Sequence, residues 1–115
     1  MTTPALARAM TEDQLQENIR SLCAYLGFPV QHIHDARRSW LRGWPDLTII
    51  GKTDVLFREL KSEHGTLTRE QRVVGWQLKA AGGDWAVWRP RDWYSGLIER
   101  ELRLLAGQPE LPLTG

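Results

Sequence analysis

Apolar positions recur with two different periods along this chain, and the switches between them mark out helices and strands. Thr11 stands before Glu12, Asp13 and Gln14, a capping hydroxyl followed by acids in a first turn. Leu15, Ile19, Leu22, Cys23 and Leu26 then recur three and four apart, which predicts a helix closed by Gly27. Residues 29–34 alternate and read as a first strand. Residues 46–50 turn apolar and β-branched after an acid, Gly51-Lys52-Thr53-Asp54 supplies turn chemistry, and Val55-Leu56-Phe57 opens a further apolar run. The two runs read as a hairpin. Thr68 and Gln71 form a capping box that starts a second helix, whose inner stripe is Gln71, Val74, Gly75, Leu78 and Ala81, with Gly82-Gly83 ending it. Residues 85–88 read as a last strand stopped by Arg89-Pro90, and residues 91–105 as a terminal amphipathic helix carrying Trp93, Leu97, Ile98, Leu102 and Leu105.

The pattern organises the chain into one domain over residues 11–106, with an arm or short helix over 1–10 and a proline-rich tail over 107–115. At 115 residues a single domain buries about two-thirds of its unfolded surface. Cys23 is the single cysteine, which excludes an internal disulfide or a thiolate zinc cluster and suits a reducing cytoplasm. No apolar run reaches the roughly 18 residues of a membrane span, so no membrane partner is expected. The net charge of +1 does not by itself announce a nucleic-acid partner. The distribution says more: Arg37, Arg38 and Arg42 precede the acid at position 46, and Arg69, Arg72, Arg89 and Arg91 follow the hairpin.

The chemistry concentrates at that hairpin. Gly43 permits a sharp turn and Pro45 fixes φ just ahead of Asp46. Side chains two apart on a strand share a face, so Glu59 and Lys61 project together while Leu60 points away, and Asp46 on the neighbouring strand can lie beside both. Two converging carboxylates bind a hard divalent cation through oxygen, and an amine beside them suits metal-assisted hydrolysis of a phosphodiester. A solvated surface hairpin with an i,i+2 ion pair is the plainer reading of the same residues.

Gly43-x-Pro45-Asp46-Leu47, then Glu59-Leu60-Lys61, then Gly65-x-Leu67-Thr68-x-x-Gln71 resembles the VRR-NUC family of the PD-(D/E)xK nuclease superfamily, whose small stand-alone members occur in bacteria and their phages. The resemblance covers roughly residues 11–90. It implies an α/β fold with a restriction-endonuclease-like αβββαβ core and a mixed sheet, to which this chain adds a C-terminal helix. It implies DNA cleavage dependent on Mg2+, with Mn2+ as a substitute, on branched DNA such as Holliday junctions or flaps. By the same resemblance Asp46, Glu59 and the backbone carbonyl of Leu60 hold the metal, Lys61 acts on the attacking water or on developing charge, and Gln71 enters the active site. Glu12, in a Glu-x-x-Leu-Gln-like context, matches the acid at the start of the family's first helix.

Several residues keep two readings. Glu12 lies towards the apolar stripe of its helix and Glu17 points almost directly away, so Glu12 is the acid placed to reach the site; it also serves a helix start without any catalysis. Gln71 can be satisfied by its capping box or by the site. His32 and His34, two apart, would share a strand face, but no third zinc ligand stands near them, and a hydrogen-bonding or DNA-proximal role fits better. Arg37, Arg38, Ser39 and Arg42, with Trp40 among them, form a basic loop suited to phosphate contacts with a stacking option. The apolar stripe of the terminal helix has two readings, a face that pairs two copies into a homodimer with two-fold related sites, or a face that packs on the chain's own sheet. The rival functions are a catalytically silent DNA-binding module and a phage structural or interaction protein.

Overall fold

The computed structural model of the chain describes residues 2–36 and 41–108. Its elements run α1 (Thr3–Ala9), α2 (Glu12–Tyr25), β1 (Ile33–Asp35), β2 (Leu47–Ile50), β3 (Val55–Leu60), α3 (Arg69–Ala80), β4 (Asp84–Trp88), α4 (Pro90–Tyr94) and α5 (Leu97–Leu105). The four strands form one mixed sheet in the order β1-β2-β3-β4, antiparallel except for the parallel β3–β4 pair. From α2 to β4 this is the αβββαβ arrangement, preceded by α1 and followed by α4 and α5. Among the described residues no helix is long and apolar enough to cross a membrane.

Strand parity decides which side of the sheet each residue serves. Leu47 and Ile49 of β2, Leu56 and Leu60 of β3 and Trp88 of β4 face α2 and α5, and pack with Leu15, Ile19, Cys23, Ile98, Leu102 and Leu105 into the main core. The opposite side carries Phe57 and Trp85 and is covered by α3, whose Gly75 lies so close to the Trp85 ring that a Cβ there would collide with it. Trp44 meets Phe57 edge-to-face, with ring centroids 6.0 Å apart. Burial of Cys23 pushes its thiol up to about 11, against a smaller opposing effect of the Arg20 charge.

Three sequence expectations are revised. Residues 29–34 are not one strand: a 3₁₀ turn spans Val30–His32 and the strand is Ile33–Asp35. His32 and His34 therefore lie in different elements and do not share a strand face. Residues 91–105 are not one helix either, because Gly96 takes φ 86° between α4 and α5. That left-handed residue redirects the chain so that Ile98, Leu102 and Leu105 reach the core. The apolar stripe of α5 thus packs on its own sheet, which removes the reason for assigning it to a dimer interface. Of the two readings of residues 1–10, the structure shows the short helix, over residues 3–9, and α1 packs against α4 with Ala7 and Met10 buried.

Candidate active site

Both helices beside the site begin with a closed capping box. Thr11 Oγ1 accepts from the Gln14 N–H at 3.1 Å while Gln14 Oε1 accepts from the Thr11 N–H at 2.9 Å. Thr68 and Gln71 repeat the pair at 3.1 and 2.9 Å. These local bonds fix where α2 and α3 start, and hence where Glu12 and Gln71 stand.

Asp46 sits one residue ahead of β2, held from both sides. Pro45 before it is fully buried. Gly43 has φ 82°, and a Cβ there would strike the carbonyl of Glu70, so the loop into Asp46 lies directly on the first turn of α3. The Asp46 carboxylate accepts from the Leu60 N–H at 2.8 Å, a bond from the start of β2 to the end of β3 that fastens it beside Glu59.

Glu59 is the centre of the arrangement. It is only 2% exposed, and its Oε1 receives no donor among the described residues, so its hydrogen bond with Asp46 requires a proton on one of the two carboxyl groups. Its Oε2 accepts from Gln71 Nε2 at 3.1 Å and lies 4.0 Å from Lys61 Nζ. Burial is the main reason its carboxyl is pushed up to about 9. The hydrogen bond and negative charge of Asp46 and the charge of Glu12 raise it further, and Lys61 opposes them. Neighbouring carboxyl groups disfavour each other's ionisation, and a cation between them relieves that cost.

Asp46, Glu12 and Leu60 line an open cleft of about 330 Å³ together with Thr11, Asp13 and Gln16. Asp46, Glu59, Lys61, Gln71 and Glu12 are thus brought to one place, while Glu17 is exposed elsewhere on α2. Among the described residues no three His, Cys, Asp or Glu side chains form a complete metal cage. Magnesium does not require one, since it is commonly bound by one or two carboxylates and keeps several waters. The unsatisfied Glu59 oxygen beside Asp46 fits such a cation.

Arg37, Arg38, Ser39 and Trp40 lie outside the described residues. Arg42 is exposed and shares a shallow cleft with Arg69, Glu70, Val73 and Val74. Two arginines counted towards a basic surface instead work within the fold. Arg89 donates to the carbonyls of Ser62 and Gly65 at 2.8 and 2.7 Å, clamping the loop that follows Lys61. Arg91 pairs with Glu63 at 3.2 Å.

Three residues escaped the sequence reading. Gln16 is buried in the cleft wall and donates to Asp35 at 2.6 Å; its signal was its place one helical turn after Glu12. Arg58 is buried on the core side of β3, paired with Glu101 at 2.8 Å and Asp84 at 3.0 Å, with its guanidinium 5.1 Å from the centre of the Trp88 ring. Its signal was a charge at the apolar parity of Leu56 and Leu60. Arg89 left none, because its partners are backbone carbonyls more than twenty residues away.

The mixed four-stranded sheet with helices on both faces is an α/β domain with the αβββαβ arrangement, and Asp46 and Glu59 meet where β2 begins and β3 ends. A solved structure described as a "VRR_NUC domain protein" has the same fold: TM-score 0.66, covering 83% of this chain and 90% of that one, at 24% sequence identity. Neither a family model nor a curated protein matches the sequence.

Proposed function

We propose that this chain is a divalent-metal-dependent deoxyribonuclease that hydrolyses phosphodiester bonds in branched DNA such as Holliday junctions or flaps. The observation that carries the reading is the buried Glu59 carboxyl, with one oxygen that no donor reaches, set against Asp46 and flanked by Lys61. Without a cation the acid keeps a proton against Asp46, whereas a cation held by Asp46, Glu59 and the Leu60 carbonyl would take that proton's place. Magnesium, or manganese in its place, supplies neutralisation of phosphate charge and acidification of the attacking water. Gln71 orients Glu59 through its amide N–H. Lys61 stands where an ammonium can assist the attacking water or offset charge on the phosphate oxygens. Glu12 faces the same cleft and positions water or a cation there. Arg42 contacts backbone phosphate, as Arg37, Arg38 and Ser39, a few residues before it in the sequence, are also suited by type to do. The likeness to the VRR_NUC domain protein supports the nuclease reading at the level of fold.

Cutting both strands of a four-way junction needs two sites, and a two-fold homodimer supplies them. The surface that would join the copies is not the buried stripe of α5. A catalytically silent DNA-binding module fits less well, because binding alone gives no reason to bury the Glu59 carboxyl beside Asp46. Labelled single-stranded, duplex, flap and four-way substrates, each incubated with magnesium and with manganese, test the proposal. Nicking that stops with EDTA is the expected result; no product from any substrate with either metal would sink it.

A further inference from the structure

Helix α3 has two unlike faces. Val74, Gly75 and Leu78 turn towards the sheet, with Gly75 against Trp85. On the opposite side, at roughly 100° per residue, Arg69, Arg72, Val73, Trp76 and Lys79 fall within one arc. All five are exposed, Val73 by 45% and Trp76 by 74%. Trp76 has a cation about one turn to either side, and the row from Arg69 to Lys79 is about 15 Å long at 1.5 Å per residue. Arg72 donates one N–H to the Leu67 carbonyl at 3.0 Å, which anchors it at the helix start. Glu70 is the single acid of α3 and lies off the row. Arg42 extends the positive charge at the N-terminal end of α3, where it shares a cleft with Arg69 and Val73, and Glu70 lines the other part of that cleft, leaving two cations to one acid.

We infer that this face is a stacking platform for an unpaired DNA strand, with Trp76 under a base and Arg42, Arg69, Arg72 and Lys79 along its phosphates. An indole between cations offers a base the π-surface it lacks in water, and offers its phosphates counter-charge. Bases inside a duplex already have both faces stacked, so the occupant is an unpaired or terminal nucleotide. A second copy of this chain is disfavoured, since a two-fold contact would set the same cations against themselves. The platform also leads to the site. Gln71 at the start of α3 holds Glu59, and the loop bearing Arg42 is seated on the Glu70 carbonyl, so the N-terminal end of the platform adjoins the segments that carry Asp46 and Glu59. The inference rests on the nuclease reading and narrows its substrate to DNA with an unpaired segment beside the cut.

The test is fluorescence anisotropy with labelled oligo(dT) and a blunt duplex, calcium replacing magnesium, alongside a separate cleavage assay in magnesium. Trp76→Ala should weaken oligo(dT) binding on the order of tenfold and leave duplex binding within about twofold, and Trp76→Phe should restore most of the loss. Arg69→Gln should reduce the slope of log affinity against log salt by about 0.7 on the single strand. Unchanged oligo(dT) affinity for Trp76→Ala, equal losses on both DNAs, or no binding by the wild type would each overturn the platform. So would conversion of a dimer to a monomer by Trp76→Ala without a change in DNA affinity, which would make the face an interface between copies. Wild-type binding that follows the expected pattern without any cleavage would instead count against the nuclease reading and leave the platform standing.

Discussion

Gln71 serves two structures with one amide: its Oε1 closes the capping box on Thr68 at 2.9 Å, while its Nε2 donates to Glu59 at 3.1 Å. The oxygen and nitrogen ends of the group point to different elements, so the start of α3 and the orientation of the buried acid are set together. Thr68→Ala and Gln71→Ala separate the two roles. Thr68→Ala should cost about 1 kcal/mol of stability and leave turnover near that of the wild type. Gln71→Ala should cost a similar amount and also lower turnover roughly 10- to 100-fold, as expected for losing a hydrogen bond to a charged group. Thermal melts and initial rates on one substrate distinguish them, and equal turnover in both variants would remove Gln71 from the site.

Asp46→Asn and Glu59→Gln should each abolish cleavage with the fold retained. Loss of an outer partner of a metal ligand typically weakens binding by about 10- to 100-fold, and loss of a ligand should do at least as much. Calorimetric titration with manganese measures this. An affinity unchanged in either variant would take that residue out of the metal set.

The metal-free protein should lose stability as pH rises. Glu59 is raised from 4.5 to about 9 in the fold, chiefly by burial, so between those values the folded chain holds a proton that the unfolded chain releases. Its contribution is fully present below the unfolded value and is lost as pH climbs towards the folded one. Melting temperature in EDTA should therefore fall from pH 5 to pH 9 (roughly that window). Glu59→Gln, which keeps the shape without the ionisation, should flatten the fall and melt above the wild type at the alkaline end. A wild-type melting temperature that rises over the same range would contradict it.

Lys61→Ala should bind manganese normally and turn over on the order of 10²-fold more slowly. Lys61→Arg should recover little if the amine handles a proton, because a guanidinium does not release one readily. Recovery of most of the rate by arginine would restrict Lys61 to charge stabilisation.

Gly43→Ala should be costly out of proportion to one methyl group. A side chain at φ 82° costs about 1–2 kcal/mol, and here it also meets the Glu70 carbonyl. Because the loop carries Asp46, activity should fall further than the shift in melting temperature explains. Full activity in a folded Gly43→Ala protein would show that the loop's seat on α3 does not aim the acid.

What the sequence determined by itself was local in range. The capping boxes of Thr11 and Thr68 close over three residues. The β2–β3 hairpin joins neighbouring strands, and strand parity sends Glu59 and Lys61 to one side and Leu60 to the other. For the same reason the meeting of Asp46 with Glu59 was legible: a short antiparallel connection leaves little freedom in register. Tertiary structure decided what depends on contacts between distant segments. The approach of α3 to β3 joined Gln71 to Glu59, and the packing of α2 on the core face of the sheet brought Glu12 and Gln16 to the cleft. Arg58 gained its burial only when Glu101 of α5 arrived, and α5 could arrive because the chain breaks at Gly96. Whether a tryptophan is core or surface was equally out of local reach: Trp88 is sealed beneath α5 and Trp76 stands in solvent, though both lie in regular elements. Periodicity states which side of an element a residue occupies, and only the packing of the other elements determines whether that side is covered.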